Sequence, residues 1–171
     1  MPAIRDLGSH MALAYGVGAG VVAMFAYVTA SWLPTLREPY WAPIAAVIVL
    51  YPDREATVKA GVQRLFGTAI GSVVGWASAA WWRENVLLYG TAIVVAVAVC
   101  HLLRLPDAAR LCAVTVSVIT IIPHRESAGA VALERFITVS YGVGCALAYM
   151  AAVDAVRRLG KARSERDRGT Q

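Results

Sequence analysis

Charge is what this chain has least of. Only 16% of its 171 residues are charged, where a soluble domain carries about a quarter. The stretches Met11–Leu33 and Val86–Leu103 hold no charged residue at all, which argues against an all-round solvated surface. Cysteine is almost as scarce. Cys100, Cys112 and Cys145 form no CxxC and have no histidine set beside them, so they read as small packing residues and no metal site is expected. The three histidines, His10, His101 and His124, are scattered towards segment ends. No GxxxxGK[ST] loop occurs, which excludes ATP hydrolysis by a P-loop. HExxH, GxSxG and paired aspartates are also missing; no catalytic residue, enzyme activity or cofactor is expected. Acidic residues avoid the middles of the apolar segments, with Glu55, Glu126, Glu134 and Asp154 near ends or turns. A buried proton-coupling carboxylate is therefore not expected.

Apolar residues fill the gap, at 58% of the chain with a mean hydropathy of +0.59. Six apolar spans can be drawn, roughly 11–33, 40–51, 59–81, 86–103, 108–122 and 131–153. The first, third and sixth exceed the ~20 residues that cross a bilayer core as a helix. The second and fifth are short, roughly 18 and 22 Å at 1.5 Å per residue. Prolines bracket both: Pro39, Pro43 and Pro52 for one, Pro106 and Pro123 for the other. The expectation is an all-α integral membrane protein, with a membrane domain over 1–154 and a basic cytoplasmic tail over 155–171. The apolar run at 11–33 is too long for a typical signal-peptide core, so the first span is expected to be retained.

A shift of 71 positions superimposes Pro52 on Pro123, Arg54 on Arg125, Glu55 on Glu126, Arg64 on Arg135 and Gly71 on Gly142. Five identities in a twenty-residue window is about five times chance for average residue usage. Tyr15-Gly16 and Tyr89-Gly90 extend the likeness more loosely. Two repeats follow, about 11–81 and 86–153. Each has three spans, an odd number, so the second must lie inverted relative to the first. Inverted repeats build many transporters, with the substrate site where the halves meet, and short proline-broken spans in equivalent places point to it.

Basic residues orient the six transmembrane helices. With the N-terminus inside, Arg5, Arg54, Lys59, Arg64, Arg104, Arg110 and six residues from Arg157 to Arg168 fall inside; Arg37, Arg83, Arg125 and Arg135 fall outside. The positive-inside rule then places both termini in the cytoplasm. Trp32, Trp41, Trp81 and Trp82 gather at the outer interface. The net charge of +5 is explained by topology, so no nucleic-acid partner is expected; the bilayer is the partner, and the basic tail can touch its anionic headgroups.

Gly67, Gly71 and Gly75 recur every four residues, and Gly142 takes the matching place in the sixth span. Such stripes let helix backbones approach closely. Six short spans enclose little interior, so a homodimer or larger homo-oligomer is expected. Arg64 and Arg135 carry the most chemistry, because a charge within a span is expensive and usually faces protein or a wet cavity. Each could line a substrate path or pore, snorkel to its nearer interface, or sit in a structural ion pair. The turns with Pro52, Arg54 and Glu55, and with Pro123, Arg125 and Glu126, are candidates for gating.

The run Trp41-Ala42-Pro43-Ile44-Ala45-Ala46-Val47-Ile48-Val49-Leu50-Tyr51-Pro52, then Thr57, then Arg64-Leu65-Phe66-Gly67-Thr68-Ala69-Ile70-Gly71, resembles the fusaric acid resistance protein-like family. That resemblance is specific over about residues 41–75. It implies a bacterial inner-membrane, multi-pass exporter of aromatic carboxylic acids, distantly similar to the plant aluminium-activated malate transporters. Arg64 and Gly67 fall on the family motif; Arg135 is reached only through the internal repeat. The expected function is efflux of organic anions driven by membrane potential or a proton gradient. The alternative is a non-transporting assembly or scaffold subunit.

Overall fold

The structure, a computed structural model, describes residues 3–81, 85–122 and 126–168, and the side chains of 12–81, 85–122 and 126–160. The described residues form six helices and no strand: α1 (Ala3–Ser31), α2 (Trp41–Val49), α3 (Arg54–Trp81), α4 (Val86–Leu102), α5 (Pro106–Ile121) and α6 (Ala128–Arg168). Pro123, His124 and Arg125 of the second turn, with Trp82 and Arg83, lie outside the described residues.

Each boundary has a local cause. Asp53 caps α3, its carboxylate accepting the Ala56 N–H at 3.0 Å, and Ser127 does the same for α6 through the Ala130 N–H at 3.3 Å. Asn85 caps α4 by accepting from Leu87 and Leu88. Pro106 opens α5, where its missing N–H is not needed. α2 stops at an extended Leu50, ahead of Pro52, which disfavours helical backbone in the residue before it. Thr57 then locks the α2–α3 turn: its hydroxyl accepts the Tyr51 N–H at 3.0 Å and donates to the Asp53 carbonyl at 2.9 Å.

Large apolar side chains face outwards and small ones inwards, the reverse of a soluble fold. Leu13, Met24, Phe25, Trp32, Trp81 and Leu87 are exposed, while Ala26, Ala45, Ala46, Ala96 and Ala108 are fully buried. Lipid already satisfies the large apolar groups, so the interior is selected for close backbone packing. This is a membrane protein. Two helical segments, Ala12–Ser31 and Ala128–Gly160, are both long and apolar enough to cross a bilayer by length and composition. α3 has the length, at 28 residues, but its glycines and charges lower its hydropathy. α4 is apolar but only 17 residues long. α2 has nine residues, about 14 Å of helix against the ~30 Å of a hydrocarbon core. The second expected span is thus a half-length helix. α6 continues without a break to Arg168, so the basic stretch prolongs the last helix.

The glycine stripes are used inside the chain. α3 packs most extensively on α5 and α6, and α6 also on α2. A Cβ on Gly71 would lie 2.7 Å from the Cys112 carbonyl oxygen and 2.7 Å from the Thr115 Cβ of α5. A Cβ on Gly142 would strike the Ala42 carbonyl oxygen and lie 3.0 Å from the Ala45 Cβ of α2. Glycines 71 positions apart therefore make the same contact, each with a carbonyl and with the side chain three residues on, in the short helix of the other half. Gly67 meets Ala108 and Leu111, and Gly75 meets Ile119. Exchanging the halves maps every helix pair in contact onto another such pair, with α3–α6 mapping onto itself. The tyrosines of the looser match also correspond. Tyr15 donates to the Leu50 carbonyl at the end of α2 (2.9 Å) and Tyr89 bonds Ser117 of α5 (2.9 Å), so each fastens the first helix of its half to the second.

Candidate functional site

α3 begins at Arg54, so Arg64 sits ten residues in, about 15 Å along the helix. It is 3% exposed, enclosed by neighbouring helices. Its position follows from α3 having two packing faces: Gly67 and Gly71 admit α5, while Gly61 admits Val143 of α6. Arg64 falls on the arc between them and is enclosed by both. No carboxylate of the described residues pairs with it, and its Nε has no hydrogen-bond partner among them. Thr68 and Ser72, one and two turns further on, also bury hydroxyls without partners among the described residues. Elsewhere Thr115, Ser117, Thr120, Thr138 and Ser140 all bond the carbonyl four residues back. A column of three unsatisfied polar groups thus runs up α3, an arrangement that is costly in an apolar interior.

Arg135, seven residues into α6, is equally buried at 5% exposure; its Nε and Nη1 also lack partners among the described residues, but it has an acid. Its Nη2 donates to Glu38 Oε2 at 2.7 Å, and its guanidinium carbon stands 3.9 Å from the ring centroid of Trp41, a cation–π distance. The Trp41 indole N–H donates to the same Glu38 oxygen at 3.1 Å. Trp41 therefore serves Arg135. Next to it, Glu134 Oε1 accepts the backbone N–H groups of Arg37 (2.6 Å) and Glu38 (2.9 Å), and Arg37 pairs with Glu126. The α1–α2 loop is stapled to the start of α6.

The matching place in the other half is chemically different. Gln63 stands where Glu134 does, 71 residues apart, and its Nε2 donates to Asp107 at 2.8 Å at the start of α5. Ala42 and Cys112 make equivalent glycine contacts, which sets α2 and α5 in a register of 70. Arg37 then corresponds to Asp107 and Tyr40 to Arg110, and Glu38 corresponds to Ala108. Arg64 therefore lacks the acid that Arg135 has. Beside Gln63 a cavity of about 480 Å³ opens between α2, α3 and α5, with Ile48, Tyr51, Lys59, Arg110 and Leu111 in its wall.

α3 and α6 run antiparallel, with Gly61 against Val143 near one end of their contact and Trp76 against Gly129 near the other. Both arginines lie between these points. Of the turn residues, Pro52 precedes the Asp53 cap, and Arg54 reaches Asp154 of α6 at 3.9 Å. Glu55 is exposed in the first turn of α3, and Glu126 holds Arg37. Pro123 and Arg125 lie outside the described residues. Glu38, Gln63 and Asp107 escaped the sequence reading, and Trp41 was noted there without its contact to Arg135. The polar position before each repeated arginine was the available signal for Gln63, whereas nothing local links Glu38 to a residue 97 positions away.

A family model described as fusaric acid resistance protein-like matches residues 21–149, well over half of the chain. No curated protein and no solved structure is found to match it.

Proposed function

This chain belongs to the fusaric acid resistance protein-like family, and from that premise we propose that it is a multi-pass transporter or channel-like exporter of organic anions, aromatic carboxylates above all, in a bacterial inner membrane. The observation that carries the reading is Arg64, a buried guanidinium with no acid to neutralise it among the described residues. A planar fork of donors in a low-dielectric interior matches a carboxylate. Thr68 and Ser72 continue the line of polar groups along α3. Arg135 is the repeat-related second cation of the passage, held by Glu38 in this conformation and available to substrate when Glu38 releases it. The two turns, clamped by Arg54–Asp154 and Arg37–Glu126, are the parts that move. Each exported negative charge gains about 2.3 kcal/mol per 100 mV of membrane potential, which suffices without a coupling carboxylate; proton exchange through Glu134 is the second source of drive.

The proposed topology is six crossings in two inverted halves, the half-length α2 completed by its flanking turns, with both termini inside. The interchangeable helix contacts of the two halves and the basic residues on one side support it. Reporter fusions after Leu103 and after Gln171 are expected both to read the cytoplasm; a periplasmic reading at either refutes the inversion. With so little interior enclosed, the assembly is proposed to be a homodimer or larger homo-oligomer.

The function is tested by flux of aromatic and aliphatic carboxylates into proteoliposomes holding only this chain. Saturable, potential-dependent flux of aromatic monocarboxylates is expected. Rates equal to protein-free vesicles across the panel favour the scaffold role.

A further inference from the structure

We propose that the cavity between α2, α3 and α5 is the loading site of the transporter, taking a monocarboxylate with a flat apolar body before it reaches Arg64. This rests on the anion-export reading and adds the place and manner of first binding. The cavity, at about 480 Å³, lies in the range of small-molecule sites. Its wall is of two kinds. Lys59 and Arg110 supply positive charge, and neither has an ion-pair partner among the described residues. Ile48, Ala60 and Leu111 supply apolar surface, and Tyr51 an aromatic ring. The one acid in the wall, Asp107, is held by the Gln63 amide, leaving the lining with one net positive charge. The Tyr51 N–H is held by the Thr57 hydroxyl, which anchors the start of its side chain.

Position ties the cavity to the passage. Ala60 lines it, and Arg64 lies one helical turn further along the same side of α3. A carboxylate drawn in by Lys59 and Arg110 is thus delivered next to the buried guanidinium. The corresponding place in the other half is built differently. There the equivalents are Glu134 and Arg37, joined through Glu134 Oε1 and the Arg37 N–H, and Tyr40 stands where Arg110 does. That end also carries the chain's own carboxylate, Glu38, on the repeat-related arginine. The protein displays at Arg135, with its own side chains, the carboxylate–guanidinium–aromatic contact that the open end offers to a ligand.

The test is titration calorimetry of the full chain in nanodiscs with benzoate, and with benzamide as its neutral counterpart. Saturable benzoate binding is expected, with benzamide weaker. The Lys59→Gln, Arg110→Gln double variant is expected to weaken benzoate about tenfold or more and to leave benzamide unchanged. Both residues are exposed and without an ion-pair partner among the described residues, so the variant is expected to unfold at the wild-type temperature. Leu111→Trp, which fills the cavity, is expected to weaken both ligands. Unchanged benzoate affinity in the double variant, or no saturable benzoate binding to the wild type, overturns the proposal. Flux separates it from the reading it rests on. Benzoate bound through Lys59 and Arg110 but not carried by wild-type proteoliposomes upholds the site and removes the exporter; benzoate flux with an unaltered KM in the double variant upholds the exporter and removes the site.

Discussion

Arg64→Ala is expected to lower carboxylate flux per inserted molecule about tenfold or more while leaving thermal stability unchanged or raised. The two halves of this expectation come from one fact. Arg64 is buried and has no acidic partner among the described residues. Removing it strands no counter-charge and relieves the desolvation of an uncompensated cation. The column it heads, with Thr68 and Ser72, loses its only full charge, and with it the attraction for an anion crossing an apolar interior. Arg64→Lys is expected to keep part of the flux, since a point charge survives without the bidentate fork. Labelled-carboxylate uptake normalised to inserted protein, together with thermal unfolding in detergent, checks both. A variant that loses stability but transports normally per molecule makes Arg64 a structural residue.

Arg135→Ala is expected to do the opposite to stability, although the residue is the repeat partner of Arg64. It removes the donor to Glu38, uncovers the face of Trp41 and breaks the staple between the α1–α2 loop and α6. Breaking a buried pair by deleting one partner costs about 3–5 kcal/mol, and about 3 kcal/mol is expected here because Glu38 keeps some solvent contact. Glu38→Gln is expected to be milder, because the amide still accepts from the guanidinium. In a double-mutant cycle with Glu38→Gln and Arg135→Gln, the pair is expected to couple by about 1–3 kcal/mol. Additive losses would show that the contact does not hold the loop. With Glu38 neutral, the outer end is also expected to pass anions more readily.

The sequence by itself determined the class of this protein. Scarce charge, two long uncharged runs and basic residues on alternate loops read as a membrane chain because lipid forbids unpaired polar groups along its core. The 71-residue repeat and the run from Trp41 to Gly71 indicated two related halves and the family, and the glycines at fours marked where helices would touch. These are local or periodic signals, legible without coordinates. Spacing could not say which helix each stripe would meet. That Gly71 meets α5 and Gly142 meets α2 is settled by how the halves dock. Nor could spacing separate two arginines that the repeat makes look alike. Their difference lies in residues from other elements: Glu38 and Trp41 beside Arg135, and no acid of the described residues paired with Arg64. A charge's environment is the sum of everything packed around it, and those neighbours come from positions far apart in the chain. Tertiary structure alone therefore decided that one buried arginine is paired with the protein's own carboxylate and that the other has no acidic partner among the described residues.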